Sequence, residues 1–278
     1  MTAFDFEIYN VFAESAWGGN PLAIVPNADG LSDAQMQLIA RQFNLSETVF
    51  LCASNQHAAR LRIFTPSCEL PFAGHPTIGA AAWLHNNLSL PDHFSIETPA
   101  KVVQIDYADG VYRFTLSGYS SQTCILSPAD LASALGLNLD DLAPEARWMN
   151  AGAWQLLVPL TSADALARVK PNLNQLHDVS VESAHLNVYV WYKNNNQVQA
   201  RYFFNLDEAA IEDPGTGGAC ANLGAWAHLN GLTPINWKIT QAESINRPNH
   251  LYLNVNAAGD IQVGGRVMRF AQGQINHE

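Results

Sequence analysis

Three segments of this sequence carry an ionisable side chain that could do chemistry, and in two of them it stands beside glycine or proline. Glu47 follows a turn-forming Asn-Leu-Ser run, His75 precedes Pro76, and Asp213 begins a run rich in glycine. Residues 77–84 and 220–227, which follow the last two segments, are almost wholly apolar and predict helices. The free N–H groups and positive dipole end of a helix N-terminus favour anions. The pattern therefore predicts an enzyme that binds a small carboxylate and moves its protons.

Glu47 and His75 each have a functional and an ordinary interpretation. Glu47 is placed at the start of a predicted strand, as an acid/base group or as a solvated glutamate. His75 stands at a predicted helix start, where the dipole disfavours its charged form and the ring offers a neutral hydrogen bond. It could equally be a simple cap. Pro76 suits the first helical position, because its missing N–H would be unpaired there.

The run from Asp213 to Gly218 predicts a backbone nest for an anion, or alternatively a tight turn needed for packing. A dinucleotide site is excluded because Cys220 stands where glycine or alanine is expected, and a phosphate loop because no lysine follows the glycines. Cys68 and Cys220 could act as nucleophiles, although a thiol within an apolar helix is usually inert.

Composition narrows the classes of function. The 278 residues are 48% hydrophobic and 14% charged, with a net charge of −11 that argues against nucleic-acid binding. No apolar run approaches the roughly 18 residues that span a bilayer. The N-terminus lacks the features of a signal peptide. The four cysteines are widely spaced, so we expect reduced thiols and a cytoplasmic protein. The histidines show no metal-binding spacing, so we expect no metal site.

The elements that must position these residues form two similar halves. Each half has an Arg-x-Phe strand, an acid, a glycine-containing turn and an apolar helix, and a shift of 145 positions aligns Gly79 with Gly224. A helix that is apolar on every side must be buried all round. We therefore predict an α+β fold of two domains, residues 1–118 and 119–278, each a curled, mostly antiparallel, barrel-like sheet around a central helix (76–84 and 217–229). The last strand could return to the first domain. The polar segment 118–128 is predicted to connect the halves, and the site is expected between them.

The chain strongly resembles the PhzF-like family of phenazine-biosynthesis isomerases, within the diaminopimelate epimerase fold. The resemblance rests on residues 19–25, 31–33, 44–50, 64–66, 69–77, 212–217 and 263–266. It implies a homodimer that needs no metal or organic cofactor. It also implies that Glu47 is the acid/base group, that His75 and Asp213 line the site, and that backbone amides at the two helix starts, assigned to Gly74, Gly217 and Gly218, bind the substrate carboxylate.

Two departures from related sequences bear on function. Two-thiol epimerases of this fold carry a cysteine before each central helix, where this chain has Ala73 and Asp213-Pro214. Most PhzF-like chains have serine or asparagine in place of Gly218, so the phenazine-pathway substrate itself is not implied. We predict a cofactor-independent isomerase that moves a proton on a small carboxylate. The alternatives are a thiol-dependent epimerase using Cys68 or Cys220, and a non-catalytic carboxylate-binding protein.

Overall fold

The computed structural model describes residues 2–172, 175–176, 187–206 and 209–277. In chain order the strands are β1 (Thr2–Val11), β2 (Asn20–Val25), β3 (Glu47–Cys52), β4 (Arg60–Phe64), β5 (Glu69–Leu70), β6 (His93–Glu97), β7 (Val102–Ala108), β8 (Val111–Leu116), β9 (Ser120–Thr123), β10 (Arg147–Asn150), β11 (Trp154–Pro159), β12 (Asn187–Asn194), β13 (Gln197–Leu206), β14 (Ala209–Asp213), β15 (Ile235–Gln241), β16 (Asn249–Val255), β17 (Ile261–Gly265) and β18 (Val267–His277). The α-helices are α1 (Asp33–Phe43), α2 (Gly74–Leu88), α3 (Pro128–Ala134), α4 (Ala163–Arg168) and α5 (Gly217–Leu229).

The chain divides into two compact units, Met1–Thr115 with Gly264–Glu278, and Leu116–Val263. In the first unit the strand order is β18-β1-β2-β3-β4-β6-β7-β8, and β5 forms a hairpin with β4. The pairs β2–β3 and β4–β6 are parallel and the others antiparallel. The last strand, β18, pairs with β1 and thus belongs to the first unit.

The second unit repeats this order except for a counterpart of β8. Its order is β9-β10-β11-β12-β13-β15-β16, with β14 in a hairpin with β13. Here β11–β12 and β13–β15 are the parallel pairs, at the places of β2–β3 and β4–β6. The shared pattern confirms the predicted α+β fold of two similar, mostly antiparallel halves.

Helices α2 and α5 are almost fully buried, as their composition predicts. In α2 the first nine residues and Leu84 are buried, and in α5 every residue from Ala219 to Ala227 is buried. α2 packs against β1, β2 and β3 of its own unit, and α5 against β10, β11 and β16. Each half therefore holds one central helix against its sheet.

Two glycines at equivalent positions allow this close packing. A methyl group added at Gly79 would overlap the buried side chain of Leu22. One added at Gly224 would lie 2.9 to 3.0 Å from side-chain carbons of Ile261, Leu253 and Val255. At both positions the added methyl group would be closer to its neighbours than normal van der Waals contact allows. Only glycine therefore lets each helix approach its sheet this closely.

Helix α1 has the predicted start. Ser32 and Gln35 form a reciprocal capping box, in which the Ser32 backbone N–H donates to the Gln35 side chain at 2.8 Å. Met36 and Ala40 are buried, which places the apolar face against the sheet. The helix ends at Asn44 in the left-handed conformation, and β3 begins three residues later at Glu47, as predicted.

Two predictions about local structure were wrong. Pro76 is the third residue of α2 and not the first, because the helix begins at Gly74 after Ala73 as N-cap. Proline is accommodated because all the N–H groups of a first helical turn lack a helical partner. The segment 118–128 is not only a connection: it contains the edge strand β9, whose backbone pairs with β10 and leaves polar side chains exposed. Among the described residues, no helix is long and apolar enough to cross a membrane.

Replacing Gly224 by alanine tests the packing of the central helix. Within an ordinary helix this change stabilises the protein by about 0.5–1 kcal/mol. Here the added methyl group would crowd Leu253, Val255 and Ile261, so we expect the free energy of unfolding to fall by about 1–3 kcal/mol. Urea denaturation followed by circular dichroism measures the change.

The matched control is Gly218→Ala in the first turn of the same helix. A methyl group there would meet only the Gln155 amide nitrogen, at 3.8 Å, so stability should stay unchanged or rise. Equal stabilisation by both substitutions would show that α5 does not need a glycine at position 224.

Candidate active site

Glu47 and His75 form a close pair in the first unit. Glu47 is the first residue of β3 and His75 the second of α2, and the Nδ1 atom of His75 lies 3.1 Å from Oε2 of Glu47. The histidine ring is 4% exposed and the glutamate side chain 17% exposed. Within the described part of the chain, Nε2 of His75 is buried without a hydrogen-bond partner. The pair can therefore share one proton across the short contact and keeps a second ring nitrogen unused.

The tautomer of His75 follows the state of Glu47. When Glu47 is ionised, its carboxylate favours the tautomer with a hydrogen on the nearby Nδ1, and Nε2 of that neutral ring is an acceptor. When the carboxyl group is protonated it can donate to Nδ1, and the hydrogen of the ring then lies on Nε2. A proton arriving on Glu47 thus changes what the histidine presents on its other side.

The start of α2 leaves backbone donors available beside this pair. Ala73 is the N-cap and makes no side-chain cap hydrogen bond. Thr77 closes the first turn, since its hydroxyl donates to the Ala73 carbonyl at 2.8 Å and its N–H to the same oxygen at 3.3 Å. Among the described residues no acceptor faces the N–H groups of Gly74 and His75. These two groups carry the positive end of the helix dipole.

In the second unit, Asp213 is held at the end of β14 by a small polar network. The Thr216 hydroxyl donates to the Asp213 carboxylate in a short hydrogen bond. The side-chain amide of Gln241, which is completely buried, donates to the Asp213 carbonyl at 2.9 Å and to the Thr216 hydroxyl at 3.0 Å. Its oxygen accepts from the Thr216 N–H at 3.3 Å. Gln241 therefore holds both the acid and the turn that starts α5.

The start of α5 also leaves N–H groups available. Thr216 is the N-cap without a side-chain cap hydrogen bond, and the first helical bond runs from the Cys220 N–H to the Thr216 carbonyl. No acceptor for the N–H groups of Gly217 and Gly218 lies within the described ranges. With no side chain at either position, an anion could approach the backbone closely.

A second set of amides, absent from the sequence prediction, lies behind this helix start. Asn222 is buried in α5, accepts from the Ala151 N–H at 2.6 Å and donates to the Gln155 side chain at 2.8 Å. An isolated asparagine inside an otherwise apolar helix is a sequence signal that could have pointed to it, since buried amides need partners. Gln155 and Gln241 lie in ordinary strand sequence and carry no such signal.

The same Arg–Glu pair precedes the central helix in both units. Arg62 makes two hydrogen bonds to Glu69, at 2.5 and 2.7 Å, and Arg201 makes two to Glu212, at 3.1 and 2.8 Å. Each pair ties the second strand of the hairpin to the first, directly before the turn into α2 or α5. Bidentate pairing fixes orientation as well as distance. The repeated acid of the sequence is thus structural, and neither Glu69 nor Glu212 is free to act in catalysis.

The two thiols considered as nucleophiles differ in environment. Cys220 is fully buried, and burial raises the pKa of its thiol, which disfavours the reactive thiolate. Cys68 is exposed in the turn between β4 and β5, 3.5 Å from the Thr65 hydroxyl. In the part of the chain that the structure describes, no group of three or more His, Cys, Asp or Glu side chains could hold a metal ion.

The predicted residues thus fall into two groups. The first unit contains Gly74, His75 and Glu47, with the last two in contact. The second contains Asp213, Gly217 and Gly218, and Thr216 links the acid to the helix start.

Arg201→Met tests the structural pair of the second unit. Arg201 and Glu212 are 14% and 11% exposed, and the guanidinium also donates to the carbonyls of Leu166 and Val169. Its removal leaves a buried carboxylate without its cation, so we expect the free energy of unfolding to fall by about 3–5 kcal/mol.

Arg62→Met is the matched control, because Glu69 is 32% exposed and water can solvate it. We expect a loss of about 1 kcal/mol or less. Urea denaturation of both variants gives the comparison. Equal losses would mean that burial does not distinguish the two pairs.

Comparison with known proteins places this architecture in a family. The family model described as phenazine biosynthesis-like protein matches residues 9–273. An uncharacterized isomerase of Pasteurella multocida is 45% identical and covers 99% of this chain and 95% of its own length. The trans-2,3-dihydro-3-hydroxyanthranilate isomerase of Pseudomonas aeruginosa is 31% identical over 97% of this chain and 98% of its own.

Solved structures of related proteins have the same fold. The Bacillus anthracis phenazine biosynthesis protein of the PhzF family has a TM-score of 0.87 at 24% identity and 100% coverage of both chains. A hydroxyproline epimerase of Agrobacterium vitis has a TM-score of 0.66 at 12% identity, covering 98% of this chain and 92% of that one, which shows the fold alone. The duplicated sheet-and-helix architecture and these matches together show that the chain is an isomerase of the phenazine biosynthesis-like (PhzF) family.

Proposed function

We propose that this isomerase moves a proton on a small carboxylate substrate, with Glu47 as the group that removes the proton and returns it. The observation that carries the proposal is the contact between Glu47 and the buried ring of His75 beside unpaired backbone donors. A partly exposed carboxylate can reach a substrate, whereas a buried partner holds its orientation. The arrangement suits general acid–base catalysis.

The proton balance of the step is simple. The Glu47 carboxylate takes a proton from one carbon, and the electron pair of that C–H bond moves into the adjacent unsaturated system of the substrate. The Glu47 carboxylic acid then returns a proton to another carbon, so that the product has the composition of the substrate. No electron is gained or lost, and the step needs no organic cofactor.

The remaining site residues have supporting roles in this proposal. His75 and Asp213 orient the substrate through hydrogen bonds. The amides at Gly74, Gly217 and Gly218 bind the substrate carboxylate, since unpaired N–H groups at helix starts favour an anion. The name of the Pseudomonas aeruginosa relative denotes a cyclic carboxylate, which supports this substrate class.

The alternatives receive less support. A thiol-dependent epimerase would use Cys68 or Cys220, but burial raises the pKa of the Cys220 thiol. A non-catalytic binding protein would need the helix starts alone and not the Glu47–His75 pair. The four free thiols suit the reducing cytoplasm in which we propose that the protein acts. The homodimer implied by family resemblance stays a prediction.

Hydrogen exchange in D2O tests the proposed reaction. A panel of small cyclic and acyclic carboxylates, including trans-2,3-dihydro-3-hydroxyanthranilate, is incubated with the enzyme, and deuterium at carbon is followed by NMR. Glu47→Gln keeps the size of the side chain but removes the base, so turnover should fall by roughly two to four orders of magnitude. The dissociation constant of the substrate should change little. Full activity of Glu47→Gln would exclude Glu47 as the base.

The double substitution of Cys68 and Cys220 by alanine separates the thiol mechanism from this one. Because neither thiol is assigned a proton, turnover should stay within about tenfold of the parent enzyme. Circular dichroism checks that the variant is folded, and the same exchange assay measures its rate. An inactive, folded double variant beside an active Glu47→Gln would establish the thiol mechanism.

A further inference from the structure

Gln155 of β11 points its side-chain nitrogen at the start of α5. The residue is only 4% exposed, and its Nε2 atom lies 3.8 Å from the place that a Cβ on Gly218 would occupy. Gly218 has no side chain, and apart from its chain neighbours and the backbone of the same helix turn, no other described atom lies within 4 Å of that place. Space is therefore open between the buried amide and the unpaired N–H groups of the helix start.

Backbone groups fix which end of this amide faces Gly218. The Asn222 oxygen must be the atom that accepts from the Ala151 N–H, and its nitrogen the atom that donates to the Ala153 carbonyl at 3.0 Å. The same nitrogen donates at 2.8 Å to the oxygen of Gln155. The NH2 group of Gln155 must then lie on the opposite side, toward Gly218. Gly218 and Asn222 are four residues apart, so they share one face of the helix.

The NH2 group of Gln155 has more hydrogens to donate than there are acceptor atoms around it. It carries two hydrogens, and its hydrogen bond to the Tyr202 hydroxyl is long, at 3.4 Å. No acceptor for the second hydrogen lies within the described residues. A buried amide donor without an acceptor is unfavourable unless a ligand supplies one.

We propose that Gln155 is a specificity-determining residue, whose Nε2–H donates to an acceptor atom of the substrate next to the carboxylate held at the start of α5. The inference rests on the proposed function, because it assumes that Gly217 and Gly218 bind that carboxylate. A serine or asparagine at position 218 would fill the open space with a side chain, whereas glycine leaves the donor on β11 facing that space.

This geometry selects a chemical class of substrate. A hydroxyl, carbonyl or ring oxygen near the carboxylate accepts the hydrogen of Gln155. An amino group at the same place brings its own hydrogens against that donor and leaves the amide unpaired. We therefore infer that the substrate is an oxygen-substituted carboxylate and not its amino counterpart.

Binding of three matched carboxylates tests the inference. Salicylate and anthranilate have the same shape and charge but carry a hydroxyl and an amino group beside the carboxylate, and benzoate carries neither. We expect the wild-type enzyme to bind salicylate about 3–10 times more tightly than anthranilate, the size of one hydrogen bond. In Gln155→Met this preference should fall below about twofold, while benzoate binding changes little. Isothermal titration calorimetry measures all three.

Two further variants complete the test. Gln122→Met makes the same chemical change at an exposed position of β9 and should keep the preference for salicylate. Gly218→Ser places a hydroxyl oxygen in front of Gln155, occupies its free hydrogen and should abolish the preference even if Gln155→Met does not fold.

The outcomes are distinguishable. A preference for salicylate that disappears in Gln155→Met or Gly218→Ser supports the inference. The inference is overturned if the wild-type enzyme binds benzoate but does not prefer salicylate to anthranilate. It is also overturned if the preference for salicylate survives both substitutions. Either result leaves the proposed carboxylate site standing. If the wild-type enzyme binds none of the three compounds, both the proposed carboxylate site and the inference are overturned.

Discussion

A helix without a polar face can exist in water only if other structure covers all of it. The first nine residues of α2 and residues 219–227 of α5 form such segments, and each helix packs against strands from separate parts of its unit. Neither has a side-chain cap at its N-terminus. The requirement for burial fixes where the helices lie, while the missing caps leave backbone donors for another acceptor. Gly79 and Gly224 make this possible, because any larger side chain would push the helix away from the sheet.

The two units share a scaffold but surround their helix starts differently. Strand order, the parallel pairs and the bidentate Arg–Glu clamp recur in both. At the start of α2 stands an ionisable pair, Glu47 with His75, that can hold and release a proton. At the start of α5 stands Asp213, which the neutral side-chain amide of Gln241 holds. Repeated elements thus maintain the fold, and the residues that differ between the repeats carry the proposed chemistry.

Buried amides are the part of the site that sequence patterns reveal least. Gln241 holds Asp213 and Thr216 through three hydrogen bonds, yet it ends an ordinary strand. The proposed role of Gln155 depends on Asn222, which orients its side-chain amide, and on Gly218, which leaves space in front of it. Both residues are more than sixty positions away in the chain. A glutamine in a strand is normally placed at the surface, and only the packing of α5 against β11 turns this one inward.

Residue type and spacing are enough to predict the features that depend on local rules. The capping box of α1, the strand start at Glu47 and the burial of two all-apolar helices follow from residue type and spacing. So does the duplication, since both halves repeat the same order of elements. Tertiary structure alone decided that Ser120–Thr123 forms a strand, because a polar segment becomes one only when an edge such as β10 offers backbone partners. It also decided that Glu69 and Glu212 pair with arginines whereas Glu47 meets a histidine. Three similar acids differ in role because their partners come from other strands and helices, and no local pattern specifies which ones.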